Sequence, residues 1–124
     1  MKRVYLAGPM TGLPEFNYPL FHAVAARLRE LGHTVLNPAE NPVPPCGSWQ
    51  GYMRMALAQL VQCERIVLLP GWTESRGALI ERKLAQVLGM EVVHFTDPAI
   101  LELVPLVSAL DQPRAERATD WSAA

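Results

Sequence analysis

Four short apolar runs, at residues 3–7, 34–36, 65–69 and 91–95, alternate with longer segments whose apolar residues recur at helical spacing. Strands separated in this way by helices are joined by crossovers and not by hairpins, so they run parallel. Right-handed crossovers then predict an α/β, Rossmann-like (flavodoxin-like) fold, a three-layer αβα sandwich with a parallel sheet of about four or five strands. At 124 residues the chain suffices for one such domain with a core of its own. That domain is expected over residues 1–110. Residues 111–124 are polar and small apart from Trp121 and form a loosely held tail.

Along the chain, Gly8-Pro9 stops the first strand, and Phe21, Val24, Ala25, Leu28 and Leu31 mark a helix over residues 19–31 that ends at Gly32. Residues 37–48 are rich in proline and are expected to hold no regular structure. Ser48 caps a second helix, whose stripe is Trp49, Tyr52, Met53, Ala56, Leu57 and Leu60. Residues 77–89 form a third, and Asp97-Pro98 opens a short one through about residue 103.

Composition removes several classes of function. Eleven Lys and Arg nearly balance twelve Asp and Glu, which leaves no basic footprint for nucleic acid. His22, His33 and His94 have no ligand-spaced partners, so no metal site is expected. Cys46 and Cys63 fit free thiols in a reducing compartment. The apolar stretch near the N-terminus is too short for a signal core or a membrane span, and a soluble, cytoplasmic protein follows as the expectation.

One charged residue breaks the helical pattern. In the helix over 77–89, Gly77, Ile80, Glu81, Leu84, Ala85 and Leu88 share a stripe, with Arg82, Lys83 and Gln86 opposite. A carboxylate among apolar neighbours loses hydration unless a partner or a ligand compensates. Either Glu81 forms an ion pair, with Arg54 or Arg76 as candidates, or it faces a ligand at the carboxyl end of the third strand, where open α/β sheets bind them.

The neighbouring loops suit the second alternative. Gly8, Pro9, Met10, Thr11 and Gly12 form a turn able to aim backbone N–H groups and a hydroxyl at an anion. It lacks the glycine spacing and the lysine of dinucleotide and nucleoside triphosphate loops, so no such cofactor is expected. Ser75, Arg76 and Gly77 place a hydroxyl and a guanidinium at a helix start, although Ser75 also suits a plain N-cap. Glu74, Glu15, Tyr5 and Tyr18 are candidates for a second proton-handling group. Trp72, in a loop beside Gly71, is the expected stacking surface, and Trp49 and Tyr52 flank the mouth.

Residues 4–21, containing Ala-Gly-Pro-Met-Thr-Gly, residues 35–40, Val-Leu-Asn-Pro-Ala-Glu, and residues 68–81, containing Pro-Gly-Trp-Thr-Glu-Ser-Arg-Gly, resemble the DUF4406 group, common in phages and prophages. That group is similar to nucleoside 2-deoxyribosyltransferases and nucleoside 5′-monophosphate N-glycosidases. The resemblance covers about residues 3–95 and implies a Rossmann-like domain that binds a nucleoside or its monophosphate. It implies that Glu81 attacks the anomeric carbon, that Ser75 and the loop from Gly8 to Gly12 contact the phosphate or 5′-hydroxyl, and that Gly77 shapes the turn. It also implies a homodimer or higher homo-oligomer whose neighbouring subunit completes the pocket. The chain departs from the relatives at Ala56, in Arg54-Met55-Ala56-Leu57, where they commonly carry an aspartate. That departure opens an alternative, a catalytically weakened protein that sequesters a nucleotide or a nucleotide-derived signal.

Overall fold

The computed structural model describes residues 2–101. Strands β1 (Arg3–Ala7), β2 (Thr34–Leu36), β3 (Arg65–Leu68) and β4 (Glu91–His94) form one sheet in the order β2-β1-β3-β4. Every pairing in it is parallel, and Tyr5 at the centre of β1 stands opposite Leu36 on one side and Ile66 on the other. The helices are α1 (Tyr18–Glu30), α2 (Trp49–Leu60), α3 (Arg76–Val87) and α4 (Pro98–Leu101). This is the α/β, Rossmann-like three-layer architecture that the alternating pattern predicts. Among the described residues no helix is long and apolar enough to cross a membrane.

The two sides of β1 divide the core. Val4 and Leu6 pack with Leu20, Phe21, Val24 and Ala25 of α1, whereas Tyr5 and Ala7 pack with Ala56 and Leu60 of α2 and Ala78 and Ala85 of α3. Alternation along a strand buried on both faces produces this split. Each large side chain so buried contributes on the order of 1.5–3 kcal/mol, and β1 is wholly enclosed from Val4 to Ala7.

The local expectations hold with three corrections. Leu31, expected on the buried stripe of α1, is exposed, because the helix ends at Glu30 and the chain turns through Gly32 at φ 95°. The proline-rich segment contains one regular turn, a 3-10 helix over Pro38–Glu40, started by the Asn37 side chain accepting a hydrogen bond from the Ala39 N–H. Proline at its first position costs nothing, since that N–H has no helical partner.

The third correction concerns α3. Its buried residues are Ala78, Glu81, Arg82 and Ala85, while Ile80 and Leu88 are exposed. Small alanines let the helix lie close to the sheet, and the stripe follows that contact instead of the larger apolar side chains. Arg82, expected in solvent, is buried, and its guanidinium donates to Gln86 at 2.7 Å. The expected extension of α4 beyond residue 101 and the tail over 111–124 lie outside the described residues.

Gly8 marks the point where β1 leaves the sheet. A Cβ there would stand 2.8 Å from Cβ of Leu69, closer than real contacts allow. We predict that Gly8→Ala lowers unfolding free energy by about 1–3 kcal/mol, the usual cost of overpacking, as measured by urea denaturation.

Candidate functional site

A cleft of about 560 Å³ opens at the carboxyl ends of β1 and β3, within the size range of small-molecule sites. Its position follows from strand order. The chain leaves β1 toward β2 on one side, and α2 then returns it to β3 on the other, which leaves a crevice where the connections diverge.

Tyr5 and Glu81 form its buried end. Tyr5 is fully buried and Glu81 is 6% exposed, and the tyrosine O–H donates to Oε2 of Glu81 at 2.6 Å. Burial pushes the Glu81 carboxyl up from an ordinary value of 4.5 to about 7, with the Tyr5 hydrogen bond pulling the other way. Burial, and then the charge of Glu81, hold Tyr5 well above its ordinary value, so the phenol remains a donor. Among the described residues no cation pairs with Glu81. Arg76 instead lies over the ring of Trp49, 4.2 Å from its centroid, and Arg54 reaches the Cys46 sulfur at 4.0 Å.

The start of α3 supplies a second wall through Ser75, Arg76, Gly77 and Ala78. Ser75 is the N-cap, its Oγ accepting from the Ala78 N–H at 3.1 Å. The positive end of the helix macrodipole there favours a ligand's negative charge. Gly77 sits where α2 crosses α3, and a Cβ on it would stand 3.1 Å from the Met53 sulfur. Gly8, Pro9, Met10 and Thr11 line the cleft as well.

Two expected residues lie elsewhere. Gly12, at φ 85°, shapes the turn but does not line the cleft. Trp72 is buried in the core between the sheet and α3, its ring centroid 6.0 Å from that of His94, and contributes no surface to the cleft. Gly71 adopts φ 85° and starts a 3-10 turn, Trp72–Glu74, that carries the indole inward. Trp49 and Tyr52 do line the cleft.

The family model described as Domain of unknown function (DUF4406) matches residues 2–94. The chain belongs to this family. Comparisons with curated proteins and with solved structures returned no match.

Within this DUF4406 domain the cleft also holds residues that sequence reasoning did not select, among them Phe16, Phe21, Asn41 and Met53. Phe21 and Met53 fall on helix stripes, and nothing in periodicity separates a core position from one at the end of a cavity. Of the second-group candidates, Glu74 and Tyr18 line the cleft and Glu15 does not. Ala56 lies buried in the lining. Among the described residues no three His, Cys, Asp or Glu side chains cluster as metal ligands.

Since Glu81 titrates near 7 in the folded protein and near 4.5 when exposed, the native state holds this proton more tightly than the unfolded chain. The neutral form's contribution is complete below pH 4.5 and is lost as pH rises through about 7. We predict that Glu81→Gln, which keeps an acceptor for Tyr5, matches wild type at pH 4.5 and exceeds it in stability by up to about 3 kcal/mol at pH 8. Thermal unfolding of both proteins across this range measures the difference.

Proposed function

We propose that this protein is a nucleoside or nucleotide N-glycosyl hydrolase or deoxyribosyltransferase with Glu81 as its nucleophile. The observation that carries the reading is a carboxylate with no cation partner among the described residues, oriented by Tyr5, at the buried end of a cleft large enough for a nucleoside monophosphate. The likeness of the DUF4406 group to nucleoside 2-deoxyribosyltransferases and 5′-monophosphate N-glycosidases agrees with it.

In this reading the carboxylate oxygen of Glu81 attacks the anomeric carbon as the bond to the base nitrogen breaks, and the base leaves with the electron pair. The transition state carries positive charge on the sugar, which a nearby carboxylate stabilises. Water or a second base then displaces Glu81 from the glycosyl ester. The Tyr5 hydrogen bond fixes the carboxylate's rotamer and leaves its other oxygen for attack. Thr11, Ser75 and the start of α3 hold the phosphate or the 5′-hydroxyl. Glu74, the other carboxyl group in the lining, is the candidate proton donor to the departing base.

Ala56 favours a second reading. It lines the cleft where relatives commonly have an aspartate, and a methyl group neither donates nor accepts. Loss of an acid/base group slows such chemistry by roughly 10²–10⁴-fold, which would leave a protein that binds and sequesters a nucleotide or nucleotide-derived signal. Homo-oligomerisation belongs to the same proposal, with Ile80, Val87 and Leu88 exposed along α3 as an apolar face available for it.

Incubation with a panel of deoxynucleosides and their 5′-monophosphates, followed by chromatography for free base, tests the first reading. Base release is expected from wild type and is abolished in Glu81→Gln. Nucleotide binding without release from any substrate favours sequestration, and neither binding nor release defeats both readings. The attacking form is the ionised one, so kcat/KM should rise with pH through a limb near 7. Tyr5→Phe removes the hydrogen bond that lowers the Glu81 pKa and should move this limb to higher pH. A limb that stays in place would show that the pair is not coupled to turnover.

A further inference from the structure

Glu15, Phe16 and Asn17 adopt left-handed backbone conformations in succession, with φ of 52°, 53° and 62°. Asparagine tolerates this region, but an aromatic residue there is a genuine outlier and is strained. Such strain persists only where surrounding structure imposes it, and it gathers at ligand-handling sites.

The constraint here is visible. Asn17 is buried, and its Nδ2 donates to the Pro9 carbonyl at 2.9 Å, tying the turn back to the loop that follows β1. The Phe16 N–H donates to the Leu13 carbonyl at 2.9 Å, and the Tyr18 N–H to that of Glu15. The strained turn does not serve to bury its side chain, for Phe16 is 57% exposed. Phe16 nevertheless lines the cleft.

Of the other aromatic walls, Tyr52 is less exposed than Phe16, at 36%, and Trp49 and Tyr18 are partly occupied. One face of Trp49 carries the Arg76 guanidinium, and Tyr18 lies between Phe16, at 5.9 Å, and His22, at 6.2 Å between centroids. Phe16 belongs to the solvent side of a cleft whose buried end is Tyr5 and Glu81.

We propose that Phe16 is a specificity-determining residue that stacks on the planar heterocycle of the ligand, and that Asn17 is the positioning residue that holds it there. The proposal rests on the nucleoside reading in taking that heterocycle to be a nucleobase. With the sugar at Glu81, the base projects outward, where an exposed ring adds affinity through an aromatic face common to all bases. Phe16 therefore separates ligands with a base from those without one and discriminates little among bases.

The test is calorimetric titration of the full chain, in the Glu81→Gln background to prevent turnover, with the four deoxynucleoside 5′-monophosphates and with deoxyribose 5-phosphate. Phe16→Gly should weaken monophosphate binding about tenfold and leave deoxyribose 5-phosphate unchanged. Its melting temperature should equal or exceed the parent's, because glycine relieves the left-handed strain. Phe16→Trp should retain monophosphate affinity. Asn17→Gly keeps the backbone conformation but removes the clamp, and should lower the ratio of the two affinities in the same direction. An unchanged ratio in Phe16→Gly overturns the proposal and leaves the nucleoside reading intact. Equal loss of both affinities with a lower melting temperature overturns it in favour of a structural role. Phe16-dependent binding without base release from the Glu81-containing protein defeats the cleavage reading and upholds this one, whereas a parent that binds none of the probes overturns both.

Discussion

The hydrogen bond from Tyr5 to Glu81 connects the most enclosed strand of the sheet to the first turns of α3. Taking a carboxylate out of water is costly, and a single neutral donor offsets only part of that cost. The remainder appears as the raised pKa of Glu81, with no cation paired to it among the described residues. The fold therefore maintains a group poised between its charged and neutral forms near neutrality, a property more useful to a ligand than to the core.

This arrangement depends on the parallel sheet. Tyr5 points to the α2–α3 side only because β1 alternates between two covered faces, and it meets Glu81 only because α3 lies close enough for Ala78 and Ala85 to enter the core. Larger residues at those two positions would lift the helix and separate the pair. Gly8, without room for a Cβ against Leu69, and Gly77, close to Met53, keep the two sides of the cleft in place. Packing and site geometry are in this sense the same constraint.

Glu81 was found because a charge interrupts an apolar stripe, although that stripe is rotated in the structure, with Arg82 buried and Ile80 exposed. Ser75 proved to be both the cap and part of the cleft wall, and the two uses are compatible because capping occupies an acceptor lone pair and leaves the hydroxyl proton available. Trp72 lies in the core and not at the cleft, because a tryptophan beside a glycine in a loop signals a turn without saying into which layer the turn carries it. Phe16 was missed for the converse reason, since three successive left-handed residues outside glycine have no propensity signal.

The order of strands and helices, the caps at Ser48 and Ser75, and the membership of Glu81 in a helix beginning at a strand's carboxyl end were fixed by local periodicity and by side chains that satisfy nearby backbone donors. Such interactions act over a few residues and are therefore written in the sequence. The meeting of Tyr5 with Glu81, 76 positions apart, the burial of Trp72 and Arg82, and the presentation of Phe16 were decided only when sheet and helices packed. They depend on distances between elements, which no local pattern encodes.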